Sequence, residues 1–159
     1  MLAVQMIRTL VASNEALDRR LWESIMQITD EQFVAEVPYS RGSIRHQMVH
    51  VAGALGRWSR GLKGDPAARE FRPNPEHYPT RASVHALWEA ETLGLAGYVA
   101  GLDEAALLGT PPGFLGPRWH ALLHLVNHGT DHRAQVLRAL HDCGAPTFDQ
   151  DLILHLWPR

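Results

Sequence analysis

Four histidines recur at every fourth position towards the end of this chain, and their type and spacing point to metal binding. They are His120, His124, His128 and His132. On a helix, residues four apart lie along one ridge, so that two neighbouring imidazoles can reach the same ion. Neutral imidazole is the commonest protein ligand for metals such as zinc, nickel and iron. A single helical histidine is usually an ordinary solvated or hydrogen-bonded residue, but four in register predict a metalloprotein.

Helical geometry separates the members of this ladder. At about 100° per residue, His128 and His132 lean towards the apolar face of their helix, whereas His120 and His124 turn to its more polar side. The same count places His50, in an earlier helix, close to an apolar face. Metal sites in helical bundles are built from side chains on facing helices. We therefore predict that His128 and His132 bind one divalent ion, with His124 as a reserve ligand, and that His50 could complete a three-histidine site. Three protein ligands leave a position open, as in catalytic zinc sites.

Composition narrows the class of protein. A chain of 159 residues has the usual length of one domain, predicted to span 1–159. The single cysteine, Cys143, excludes an internal disulfide framework and a four-cysteine zinc site. A net charge of -2 with scattered basic residues predicts no nucleic-acid partner. With neither a long apolar run nor a signal-like start, we expect no membrane partner and a cytoplasmic location.

Apolar periodicity predicts an all-α fold, an antiparallel four-helix bundle. Ser43 is expected to cap the second helix, and Thr80 or Ser83 the third. Proline-rich loops are expected near 65–79 and 109–117, with a short helical turn at 103–108. The long helices are predicted at about 2–28, 43–64, 80–101 and 118–143.

The run 125–135, LVNHGTDHRAQ, resembles the Asn-His-x-x-x-His-Arg-x-Gln pattern of the DinB/YfiT-like metalloenzymes. These are four-helix proteins unrelated to the DNA polymerase that shares the DinB name. The run 43–50, SIRHQMVH, with Trp58 beyond it, and the run 151–154, DLIL, support the resemblance. It covers nearly the whole chain.

The resemblance implies the same three metal ligands, His50, His128 and His132, which would hold zinc, nickel or iron. Two positions depart from the family pattern. Leu55 stands where many relatives have glutamate, and Ala134 replaces a frequent glycine.

Relatives with an assigned activity imply a thiol transferase, in which a low-molecular-weight thiol such as bacillithiol or mycothiol is added to an electrophilic small molecule. A divalent ion lowers the pKa of a bound thiol, which makes this chemistry feasible at neutral pH. The same ion could activate water, so a metal-dependent hydrolase that uses metal-bound hydroxide is an alternative. A non-catalytic, stress-linked metal-binding module is a third. The resemblance also implies a homodimer.

Several neighbours are candidates for binding a cofactor or supporting the metal, while the catalytic residues stay unassigned. Arg133 lies within an apolar arc, which favours a buried ion pair over ligand binding. Asn127 and Asp131 border the metal face and could orient a ligand imidazole. Trp58 and Trp119 could line a cleft, although core packing is the commoner role of such residues. The candidates for cofactor binding are therefore Arg133, Asn127 and Trp58.

Overall fold

The structure is a computed structural model that describes residues 2–157, and within that range it contains helices and no strands. The all-α prediction is confirmed. Short 3-10 turns occur at Ala68–Glu70 and Pro75–His77. The helices are α1 (Leu2–Ile25), α2 (Asp30–Val34), α3 (Ile44–Leu62), α4 (Arg81–Ala100), α5 (Glu104–Leu108), α6 (Arg118–Asp142) and α7 (Leu152–Leu156).

Side-chain caps fix the beginnings of α3, α4 and α5. The Ser43 hydroxyl accepts from the backbone amide of His46, and Thr80 accepts in the same way from Ser83. Asp103 caps α5. Each cap satisfies an amide that has no partner within its own helix. The predicted starts at Ser43 and Thr80 are therefore confirmed.

Two short helices lie where the sequence predicted none. Thr29 and Gln32 form a capping box that starts α2, and Phe33 anchors this single turn with a fully buried ring. The first long helix consequently ends at Ile25 and not at Ile28. Helix α7 follows the last long helix. Five-residue helices contain too few apolar repeats for their period to be recognised.

The four long helices enclose one buried apolar cluster. Helix α1 contacts α4 and α6, and α3 contacts the same two helices. The indole of Trp88 and the side chains of Leu122 and Leu140 are fully buried within this cluster. The antiparallel order of the helices stays a prediction.

Among residues 2–157, no helix combines the length and apolar composition that crossing a bilayer requires.

A buried ion pair joins α6 to α1. The Arg133 guanidinium contacts the Asp18 carboxylate, and their side chains are only 2% and 5% exposed. Arg133 also donates to Asn14 Oδ1 at 3.1 Å and to Gln150 Oε1 at 2.9 Å. Burial raises the pKa of Asp18 to about 6, against the opposing effect of Arg133. The buried pairing predicted for Arg133 is thus confirmed.

Removing the arginine should leave a buried carboxylate without its counter-charge. We expect Arg133→Met to lower the free energy of unfolding at pH 8 by about 3 kcal/mol. The loss should be smaller at pH 5, because Asp18 without Arg133 has a still higher folded-state pKa and takes up a proton. Urea unfolding at the two pH values measures this difference.

A matched control removes an exposed arginine from the same helix. Arg138 pairs with Asp142 one turn away, and its side chain is 67% exposed. Arg138→Met should change stability by less than about 0.5 kcal/mol. Equal losses for the two variants at both pH values would contradict a stabilising role for the buried pair.

Candidate metal centre

The structure brings the three predicted ligands together. His50 lies on α3, and His128 and His132 lie one turn apart on α6. One ring nitrogen from each residue can be chosen so that all three atoms lie within 4.8 Å of one another. The Nε2 atoms of His50 and His128 are 3.1 Å apart. The ring centroids of His128 and His132 are separated by 4.3 Å.

Close packing behind the histidine pair holds α6 in place. Gly129 lies between the two ligands of α6, and a Cβ atom there would lie 2.6 Å from the Asn14 Oδ1 of α1. A side chain at position 129 would therefore force the Asn14 side chain, which accepts a hydrogen bond from Arg133, to move. Helix α6 is thereby positioned by α1 on one side and by α3 on the other.

The three imidazoles are held in the neutral form that binds metals. Burial, together with the positive charges of neighbouring side chains, lowers the pKa of His50 to about 4. Burial is also the main cause that lowers the pKa of His128 to about 4 and that of His132 below its ordinary value. Protons therefore compete weakly with a metal ion for these nitrogens at neutral pH.

Gln47 orients the most buried ligand. Its side chain is 1% exposed, and its Oε1 lies 2.5 Å from the Nδ1 of His132. An amide oxygen only accepts, so Nδ1 carries the proton and Nε2 presents its lone pair to the centre. The Gln47 amide donates in turn to Gln135 Oε1, at 2.8 Å, and to Ser40. Gln47 therefore fixes both the tautomer and the position of His132.

Sequence reasoning missed Gln47, although a signal was present. A polar residue three positions before His50, within the buried part of α3, must have a hydrogen-bond partner. Asn127 and Asp131, considered for this role, are both exposed. Asp131 accepts a hydrogen bond from Gln135 at 3.3 Å and so lies at the outer end of the same network.

The remaining ladder histidines lie outside the three-residue group. His124 is exposed, and its ring centroid lies 4.9 Å from that of Trp58 and 5.6 Å from that of His128, with the rings tilted to one another. His120 is exposed and packs against Trp119. Within residues 2–157, the group contains His50, His128 and His132 alone. The reserve role of His124 therefore has no support from its position.

The other candidate residues divide between the site and the core. Trp58 is half-buried, and its ring centroid is 5.8 Å from that of Phe114, so that with His124 they form an aromatic wall beside the centre. Arg133 is directed towards α1 and does not join the centre. Leu55 is buried and lines a cavity of about 20 Å³ between the four long helices, to which none of the three histidines contributes.

The three nitrogen donors fit a divalent metal of intermediate softness. Two nitrogens bound to one tetrahedral zinc ion at about 2.1 Å would be about 3.4 Å apart, close to the 3.1 Å between His50 and His128. Three neutral nitrogen ligands, one of them oriented by an amide, suit zinc, nickel or iron. The geometry therefore accommodates the predicted ion.

The family model described as "DinB family" matches residues 1–159, the whole chain. The chain belongs to the DinB family. No curated protein matches it. The family predicted from the motif is thus confirmed, and in this DinB-family protein the three histidines of that motif lie together in space.

Loss of two ligands should abolish metal binding. We expect DinB-family protein purified without added metal to hold one equivalent of a divalent ion, and His128→Ala/His132→Ala to hold none. Elemental analysis of untagged protein measures both. His120→Ala is the matched control, because His120 belongs to the same ladder but lies outside the group. Equal metal content in the double variant and the control would reject the site.

Replacing Gln47 tests the hydrogen bond to His132 separately from ligation. Gln47→Leu removes the acceptor for Nδ1 and should weaken metal affinity by about 10- to 100-fold. Gln47→Glu keeps an acceptor at that position and should lose less. Competition with a chelator measures both affinities, and circular dichroism checks the fold. Equal losses of metal affinity in Gln47→Leu and Gln47→Glu would show that the hydrogen-bond acceptor for His132 is unimportant.

Proposed function

We propose that this DinB-family protein is a metal-dependent enzyme that transfers a low-molecular-weight thiol to an electrophilic small molecule. The observation that carries the proposal is the group of His50, His128 and His132 from two helices, which is partly buried and to which no fourth His, Cys, Asp or Glu among residues 2–157 belongs. A site with three protein ligands keeps a position for an exogenous ligand. We further propose that an antiparallel four-helix bundle carries the site and that the protein is a homodimer.

The ligand residues suit the stabilisation of a thiolate. All three imidazoles are uncharged in the form that binds a metal, so they do not cancel the charge of a divalent ion. When bound, such an ion supplies the positive charge that lowers the pKa of a thiol. Gln47 holds His132 in the tautomer that directs Nε2 to the centre. With such an ion bound, these residues would provide a fixed, cationic position for sulfur.

The aromatic wall gives the centre an apolar side. Phe114 comes from the loop between α5 and α6 and contacts Trp58 of α3. Apolar side chains displace water from the neighbourhood of a reacting group and strengthen electrostatic interactions there. We propose that the electrophile lies against this wall, where the thiolate can attack it.

Turnover in the presence and absence of thiol tests the proposal. Zinc- or nickel-loaded protein is given monochlorobimane with cysteine, glutathione, bacillithiol or mycothiol, and conjugation is followed by fluorescence. We expect conjugation at least tenfold faster than without protein for at least one thiol. The rate should vanish on chelation and in His128→Ala/His132→Ala.

Two other outcomes identify the alternatives. Hydrolysis of 4-nitrophenyl acetate that needs the metal but no thiol, without bimane conjugation, would replace the transferase with a hydrolase. Tight metal binding with neither reaction would favour the non-catalytic module. His120→Ala serves as the control for substitutions in the ladder.

A further inference from the structure

Three arginines come from three separate segments on or next to α3, the helix that carries His50. Arg57 lies on α3, two turns after His50; Arg41 lies in the turn before α3, and Arg72 in the loop after it. Arg57 is half-buried, while Arg41 and Arg72 are exposed. Their placement is independent of the three ligands and of the aromatic wall.

Packing of the loop against α3 brings Arg72 close to Arg57. Arg57 Nη1 donates to the backbone carbonyl of Phe71 at 3.4 Å. A Cβ atom on Gly53, one turn after His50, would lie 3.0 Å from Pro73 Cδ. Residues 71–73 therefore lie directly on the stretch of α3 that separates His50 from Arg57.

The turn that carries Arg41 is held by the network around Gln47. The preceding residue, Ser40, accepts a hydrogen bond from Gln47 and contacts Gln135 Oε1 at 3.4 Å. Because Gln47 also binds His132, this network fixes the turn beside the centre. Arg41 therefore lies on the same side of the centre as Gln47.

Arg57 lies close enough to Arg72 and Arg41 to be affected by the positive charge of each. Burial lowers the pKa of Arg57, and the charges of Arg72 and Arg41 lower it further. In the part of the chain that the structure describes, none of the three has an ion-pair partner, whereas Arg45 and Arg60 pair with Glu76 and Glu91. Asp131 is the acid whose charge acts on His128 and His132, but its carboxylate accepts from Gln135.

Unpaired arginines that converge on a cationic centre attract anions. The guanidinium group forms a planar fork that matches the oxygens of a carboxylate or phosphate. We propose that the small molecule bound at the centre carries such an oxyanion group and that Arg41, Arg57 and Arg72 bind it. This inference rests on the proposed function, since it specifies the chemistry of the thiol or of its electrophilic partner.

A pair of thiols that differ in one group tests the proposal. Cobalt-loaded protein is titrated with 3-mercaptopropionate and with 3-mercaptopropan-1-ol, and the absorption band of a cobalt-bound thiolate reports binding. We expect the carboxylate thiol to bind about 10- to 100-fold more tightly, the range of a charge-assisted hydrogen bond. Its advantage should shrink as ionic strength rises.

Arginine variants assign the preference to particular residues. Arg57→Gln and Arg41→Gln/Arg72→Gln should each reduce the advantage of the carboxylate thiol to about threefold or less, because the neutral thiol loses only the longer-range attraction of its thiolate. Arg69→Gln is the matched control, because Arg69 is an exposed arginine of the same loop. Equal affinities of the two thiols for the unaltered protein would overturn the inference, as would an equal loss in Arg69→Gln and Arg57→Gln.

A separate arm keeps failure of the inference distinct from failure of the proposed function. If neither thiol produces the band, the thiol-transfer proposal fails, and calorimetry of zinc-loaded protein with succinate or inorganic phosphate then tests the arginines alone. Binding that Arg57→Gln abolishes would support the oxyanion site and show which anion it prefers. Absence of binding to both anions would overturn it.

Discussion

The contact between α3 and α6 is the interaction on which the metal centre depends. His50 belongs to one helix and His128 and His132 to the other, so no single segment of the chain can form the group. Apolar burial supplies the driving force for this contact, because Met48 of α3 and Leu122 of α6 belong to the same buried cluster. Two directional hydrogen bonds of Gln47, accepted from His132 and donated to Gln135, then define how the two helices meet.

Helix α6 carries two buried polar networks on different faces. His132 faces α3 and bonds to Gln47, whereas the next residue, Arg133, faces α1 and pairs with Asp18. Consecutive residues of a helix are about 100° apart around its axis, so adjacent residues can face different neighbouring helices. Each buried group has a partner from another helix, so the networks specify the orientation of α6 as well as stabilising it. Gly129 adds the close approach of α1.

The electrostatics of the centre come from separate sources. Burial keeps the imidazoles neutral, and arginines from α3 and two flanking segments supply fixed positive charge. Of the nearby acids, Glu76 is paired with Arg45, and Asp131 lies at the exposed end of the glutamine network. A neutral ligand set within a cationic surrounding is suited to an anionic ligand, whether this is a thiolate or an oxyanion.

The local features of this protein can be predicted from its sequence alone. The four-residue spacing placed His128 and His132 on one ridge of a helix. The rotation of about 100° per residue favoured them over His120 and His124. The hydroxyl of Ser43 marked it as the cap of a helix. All of these properties depend on residues within one helix, where the backbone geometry is known in advance. The family motif supplied His50 as well, in agreement with its position near the apolar face of α3.

The contacts between residues of different helices and loops are visible only in the folded protein. It assigned Gln47 to His132, Asp18 to Arg133, and Arg41 and Arg72 to the surroundings of the centre. These pairs join segments far apart in the chain, and their meeting depends on how whole helices pack, which local spacing does not specify. The short helix α2 was missed for the same reason, since the burial of Phe33 against the rest of the protein, rather than a repeating pattern, stabilises it.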